Sequence, residues 1–324
     1  MLKKLIYSAI FFSVASYTAH SQVKKVWFDT DMMIGLPERA PREVDDGVAL
    51  IMALRQKSIE IIGISIITNI DYGYDVTQKL VQGYGSTKPI PVYKGSNLAN
   101  DLGKENDATL ALAAALKKEK LTILALGPTT NVATVLKNHP ELASNVEEII
   151  FCAGRTPGYE FRPGLQQFPV GDYNFDKDVA SFKAILDTTV PLVLSGFECS
   201  SYLLLGTIDI DRLNEGTAID KWVYQQLVAW IGRAKTLFGT EGFIPYDATP
   251  LGYLTHPERF KYYDQIPVEI NEKANDATMN GRDLRATKPY LEVSYNFKSE
   301  RKLKYAYKTL PGFEEIVIQS LLGR

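Results

Sequence analysis

The chain has 324 residues, a formal net charge of −2 at pH 7, and 45% hydrophobic and 23% charged residues. Those fractions are ordinary for a folded globule and exclude a low-complexity or unstructured chain. The near-neutral, slightly acidic balance gives no sign of a basic groove for nucleic acid or a polybasic membrane patch.

The first residues read as an address. Lys3 and Lys4 precede a short, mostly apolar run from Leu5 to Ala15, and Ala19-His20-Ser21 puts small residues where a signal peptidase reads. Residues 1–21 are therefore expected to be a signal peptide cleaved after Ser21, and the mature protein, residues 22–324, to be exported to the periplasm or secreted. An uncleaved anchor is the alternative, but the run is shorter than the about 20 residues a spanning helix needs, and no later segment reaches that length. No lipobox-type cysteine follows it, and no membrane contact is expected after cleavage.

Val26-Trp27-Phe28 predicts a buried strand running into Asp29-Thr30-Asp31, and Met32 to Val44 a loop broken by Gly35, Pro37 and Pro41. From Asp45 to Leu54 the chain is so apolar that it predicts a mostly buried helix. Strands are then expected at Ile59–Ile67, Ile90–Tyr93, Leu121–Leu126, Val146–Cys152 and Pro191–Leu194. Helices are expected at Val76–Tyr84, Ala108–Lys118, Thr130–Lys137 and Asp178–Leu186. A more helical stretch follows, Ile208 to Leu254, and two late strands near Val268–Asn271 and Tyr290–Tyr295. Strand and helix alternate over short connections, and the strands are continuous apolar runs. That pattern predicts an α/β fold, an open, mostly parallel, Rossmann-like sheet with helices on both faces. No repeat or linker divides residues 22–324, which read as one domain.

Ligands of such sheets bind outside the carboxyl ends of the strands. The first strand delivers Asp29 and Asp31 there, and Asp45 and Asp46 open the first helix. A helix cap explains one aspartate comfortably. Four within eighteen residues repel one another and call for a cation between them. Oxygen ligands without thiolate or imidazole favour calcium, magnesium or manganese over zinc. The chain has only three histidines: His20 leaves with the leader, while His139 and His256 each precede a proline and read as structural or surface residues. Cys152 and Cys199, beside apolar strands, read as buried thiols, with a disulfide open to them in an exported protein.

Phe28-Asp29-Thr30-Asp31 followed by Asp45-Asp46-Gly47-Val48-Ala49-Leu50 resembles the N-terminal signature of the inosine–uridine-preferring nucleoside hydrolase family. Four further segments match it in order: Gly63 to Asn69, Ala125 to Asn131, Gly171 to Asn174 with Asp178 to Leu186 behind it, and Tyr246-Asp247-Ala248 to Leu254. The resemblance implies calcium-dependent hydrolysis of the N-glycosidic bond of a nucleoside or related N-riboside. It implies a calcium ion held by Asp31, Asp46, Asp247 and the carbonyl of Leu126. Asp31 would also take a proton from the attacking water, and Asp45 would bind water or a ribose hydroxyl. Asn174 and Asp172 would grip the outer sugar hydroxyls, with Asn69 nearby. Asn131 reads as a turn residue. A homodimer or tetramer is implied as well. The residue types suit the chemistry independently, since carboxylates around a sugar stabilise an oxocarbenium-like transition state.

This sequence departs from the family pattern at three points. Thirteen residues, Met32 to Val44, separate Asp31 from Asp45 where the family keeps a short turn. They could form a lid or bring Arg39 or Arg42 to an anionic group; a plain surface loop is the other reading, since inserted loops cost little entropy. Tyr246 stands where many members have the histidine that protonates the leaving base, and its ordinary pKa near 10 makes it a poor proton shuttle. Asp172 replaces a glutamate. Two alternatives are a phosphatase of the haloacid dehalogenase type, with Asp29 or Asp31 on its nucleophile strand, and a non-catalytic, calcium-dependent sugar or nucleoside receptor.

Overall fold

The computed structural model describes residues 23–35, 40–85, 88–163, 169–276 and 284–323. The expected signal peptide with His20, and Arg39 of the Met32–Val44 segment, lie outside the described residues. In chain order the elements are β1 (Lys24–Thr30), α1 (Asp45–Arg55), β2 (Ile59–Ile66), α2 (Ile70–Tyr84), β3 (Val92–Lys94), α3 (Asp107–Lys118), β4 (Leu121–Ala125), α4 (Thr130–Asn138) and β5 (Val146–Cys152). Then come α5 (Tyr173–Lys177), α6 (Val179–Leu186), β6 (Leu192–Ser195), α7 (Phe197–Ser200), α8 (Thr207–Ile210), α9 (Ala218–Phe238), α10 (Ala248–Thr255), β7 (Phe260–Ala274), β8 (Thr287–Val293), β9 (Lys302–Thr309) and α11 (Phe313–Leu322).

Among the described residues nine strands form one sheet in the order β3-β2-β1-β4-β5-β6-β9-β7-β8. Pairing is parallel from β3 through β9, and β7 is antiparallel to both β9 and β8. Alternation along β1 sends Val26 and Phe28 into the core on one face and Trp27 into the core on the other. A strand buried on both sides has to be apolar throughout, which is why KKVWFDT shows no polar stripe before its last residues. Helix α1, buried from Asp45 to Ala53, packs against α2, α10 and α11 and against β2. Strand order reverses between β1 and β4, so the carboxyl ends of these two strands open the crevice where such sheets take ligands.

The later part of the chain differs from the sequence expectation. Helix α2 begins at Ile70 rather than Val76, because Asn69 takes a left-handed turn (φ 38°, ψ 45°) that leads β2 straight into it. The stretch 208–254 breaks after Gly239, and α10 restarts behind Tyr246-Asp247. Strand β9 and helix α11 had no expected counterpart. In KLKYAYKT the lysines hide a strand whose Leu303, Tyr305 and Ala306 are buried. Helix α11 buries only Phe313, Val317 and Leu321, a four-residue spacing, and the Phe313 ring packs where a side chain at Gly252 would stand. Cys152 and Cys199 are both buried and free.

Candidate active site

Each acidic side chain is placed by a strand end or a helix start. Asp29 is fully buried and accepts hydrogen bonds from the Ser65 hydroxyl and, at 2.9 Å, from Asn131 Nδ2. Burial outweighs both bonds and pushes its pKa up to about 7. Its side chain does not line the cleft, so the phosphatase reading loses Asp29 as a nucleophile. Asn131 proves to be more than a turn residue. From the first turn of α4 it reaches Asp29, and its Oδ1 accepts from the Ser96 N–H at 2.8 Å, so it ties β1 to the loop after β3.

Asp46 accepts from the Thr30 hydroxyl and from the main-chain N–H groups of Asp31 and Asp46 itself; burial still raises its pKa to about 6. Asp247, from the far end of the chain, arrives at the start of α10. One carboxylate oxygen from each of Asp45, Asp46 and Asp247 lies within 4.8 Å of the others. Asp31 lines the same cleft and packs against Gly127, where an added Cβ would stand 2.8 Å from Asp31 Oδ1. Loss of solvent, followed by mutual repulsion, holds the Asp31, Asp45 and Asp247 carboxyls well above the usual range. Negative charge packed this closely has no counter-charge from the protein at its centre, and an all-oxygen donor set fits a hard divalent cation. The tight trio contains Asp45 where the resemblance implied Asp31, and Asp31 adjoins it.

The cleft above these acids holds about 750 Å³. Its floor includes Leu126 and Cys152, at the ends of β4 and β5. Asn174 Nδ2 donates to the carbonyls of both, at 2.7 and 3.1 Å. Asp172 caps α5: one oxygen accepts from the Phe175 N–H at 3.2 Å and the other from the Gly154 N–H at 2.9 Å. Burial lifts its pKa to about 6. Asn69 is outside the cleft lining and donates to the Met33 sulfur at 3.5 Å.

One wall is aromatic. Phe161 stacks on Phe197 with centroids 4.1 Å apart, and Tyr246 meets Phe161 edge-on at 5.5 Å, with Trp230 of α9 lining the same cleft. Burial, then the negative charge of Glu43 and Asp45, raises the Tyr246 pKa well above its ordinary value, so the phenol stays protonated. Burial and then Asp247 and Asp45 likewise hold the Cys152 thiol neutral; it donates to Asp247 and is no nucleophile. Glu43, Phe161, Phe197 and Trp230 were not singled out from the sequence, and Cys152 only as a buried thiol. Glu43 stands two residues before Asp45 and could have been counted as a fifth acid. The aromatic wall comes from four separate segments, at Phe161, Phe197, Trp230 and Tyr246, with no pattern to announce it.

A family model described as inosine-uridine preferring nucleoside hydrolase matches residues 26–303. The chain is 21% identical over 258 residues to the pyrimidine-specific ribonucleoside hydrolase RihB of Shigella flexneri serotype 5b (strain 8401), covering 70% of this chain and 80% of that protein. It is 22% identical over 265 residues to the RihB of Escherichia coli O157:H7 (strain EC4115 / EHEC), with the same coverage. Among solved structures, a purine-preferring ribonucleoside hydrolase from Gardnerella vaginalis superposes with a TM-score of 0.73 at 17% identity, covering 93% of this chain and 98% of the other. A plant nucleoside hydrolase, PpNRh1, gives 0.73 at 17% identity over 92% and 99%.

Proposed function

The chain belongs to the inosine–uridine preferring nucleoside hydrolase family, an α/β N-glycosyl hydrolase, and from that premise we propose that it cleaves ribonucleosides, or related N-ribosides, in a calcium-dependent reaction. The observation that carries the calcium reading is the convergence of Asp45, Asp46 and Asp247, with Asp31 beside them, on one buried point. Family membership sets aside the phosphatase and the non-catalytic receptor.

Asp31, Asp46, Asp247 and the Leu126 carbonyl, with Asp45 close enough to share the task, would hold the ion. Bound there, a hard divalent cation orients sugar hydroxyls and lowers the pKa of water. The protein supplies the rest. Asp31, at the edge of the cation site and lining the cleft, takes the proton of the attacking water. The carboxylates stabilise positive charge as it develops on the ribose. Asn174 and Asp45 face the sugar, and Asp172 acts chiefly by capping the helix that carries Asn174. Asn69 acts at one remove, through Met33. Tyr246 keeps its proton and, with Phe161 and Phe197, offers the departing base an aromatic surface rather than a proton shuttle.

The test is release of free base from purine and pyrimidine ribonucleosides and nicotinamide riboside, with and without chelator. Asp247→Ala should abolish turnover and calcium retention together. Full turnover by the chelated protein would remove the calcium reading. Export is proposed from residues 1–21, with Gln22 as the expected mature N-terminus on sequencing. A homodimer or tetramer is proposed from the family, to be read by light scattering.

A further inference from the structure

A neutral nucleoside has no use for fixed positive charge, yet Arg42, Lys177, Arg233 and Arg285 line the same cleft as the acid cluster. Balancing the acids is the simplest role for them, and it accounts for some. Arg285 acts on Asp176, which already has Lys288 Nζ at 2.8 Å. Arg42 lies beside Glu43. Asp172 is satisfied by two main-chain N–H groups, and the remaining acids surround the proposed cation. Lys177 and Arg233 are left over: neither makes an ion pair or a side-chain hydrogen bond among the described residues.

Two groupings result. Lys177 Nζ stands 5.7 Å from the centroid of the Tyr173 ring, and the Tyr173 hydroxyl, beyond the effect of burial, feels Asp31 first, then Arg42 and Glu43. Tyr173 is 45% exposed, and it lines the cleft together with Arg42, Lys177 and Asn174. Arg233 lies one helical turn after Trp230 on α9, at the aromatic side of the cleft. The first grouping offers several donors and suits a phosphate monoester, with several acceptor oxygens and close to two charges at neutral pH; Arg233 offers one guanidinium, which suits a carboxylate.

We propose that the preferred substrate is an anionic N-riboside, whose phosphate or carboxylate meets Arg42, Tyr173 and Lys177 or, on the base side, Arg233. This rests on the hydrolase reading above. A phosphate on the ribose and a carboxylate on the base are the two sources of the charge, and the assay separates them.

The experiment measures kcat/KM for uridine, uridine 5′-monophosphate and orotidine in the calcium-loaded protein, in Arg42→Ala/Lys177→Ala and in Arg233→Ala. The expected result is an advantage of about 10- to 100-fold for one anion over uridine, the scale of one or two charge-assisted contacts. For the phosphate, that ratio should collapse in the double variant; for the carboxylate, in Arg233→Ala. A second readout needs no turnover: at low ionic strength inorganic phosphate should raise the unfolding midpoint of the native protein more than that of the double variant. Uridine cleaved as well as both anions would overturn this inference and leave the hydrolase standing, as would an anion advantage untouched in both variants. No cleavage of these or any other N-riboside would overturn both.

Discussion

Asn174 Nδ2 donates to the carbonyl oxygen of Leu126 at 2.7 Å, and its second hydrogen goes to the carbonyl of Cys152 at 3.1 Å. An amide nitrogen has two hydrogens to give, and both are spent on strand ends, which leaves Oδ1 as an acceptor in the cleft. Asn174→Asp would set a carboxylate oxygen against two carbonyls. A loss of roughly 100-fold in kcat/KM, about 2.7 kcal/mol, is expected, with the unfolding midpoint nearly unchanged because the side chain is only half-buried. Activity within twofold of the native protein would rule out this positioning role.

Asn131 and Asp29 make the second long-range tie, behind the cleft rather than in it. Asp29 Oδ2 is already buried without a partner, so the carboxylate depends on Ser65 and Asn131. Asn131→Leu should cost about 1–3 kcal/mol of stability in denaturant titration. Asn131→Asp should cost more, since it buries a second carboxylate against the first. Equal stability of all three proteins would show that the contact carries no weight.

How much of this could be read from the sequence depended on whether a signal was local. The buried strands β1, β2, β4 and β5 were legible because a sheet covered on both faces demands unbroken apolar runs. The acid cluster was legible because Asp29, Asp31, Asp45 and Asp46 crowd one strand end, and Asp247 was reached only through resemblance. Strand β9 was hidden by its lysines: Lys302 and Lys308 are exposed and Lys304 half-buried, and they break up the apolar run of Leu303, Tyr305 and Ala306. Asp172 and Asn69 were assigned to the sugar by resemblance, but their partners are a helix cap and a methionine sulfur, contacts that depend on where Gly154 and Met33 fall in space.

Lys288 reaches from β8 under α5, fully buried, with Asp176 at 2.8 Å and Asp276 at 3.9 Å. It joins the antiparallel edge of the sheet to the short helix carrying Asn174. Lys288→Met takes from Asp176 the cation bonded to it, leaving the weaker pull of Arg155 and Arg285, and loss of such a buried pair costs about 3–5 kcal/mol. Adding Asp176→Leu should recover most of that loss. Because burial already raises the Asp176 pKa, the penalty of the single variant should also shrink as the pH falls and the carboxyl takes up a proton. A double variant no more stable than Lys288→Met would count against the pair.

Removing the metal should expose the charge the acid cluster carries. In the folded chain Asp29 is pushed up to about 7, and Asp46 and Asp172 to about 6, all chiefly by burial. Unfolded, each would titrate near 3.9. Between about pH 4 and 7 the folded chelated protein therefore binds more protons than the unfolded chain, and its stability falls as pH rises through that window. A cation at Asp45, Asp46 and Asp247 competes with the protons held there, so its stabilising effect grows as those three carboxylates ionise. In chelator the unfolding midpoint should drop by several degrees from pH 5 to pH 8, and calcium should restore it far more at pH 8 than at pH 5. A midpoint that climbs with pH in chelator, or ignores calcium at pH 8, would mean that these aspartates carry no unmet charge for an ion to neutralise.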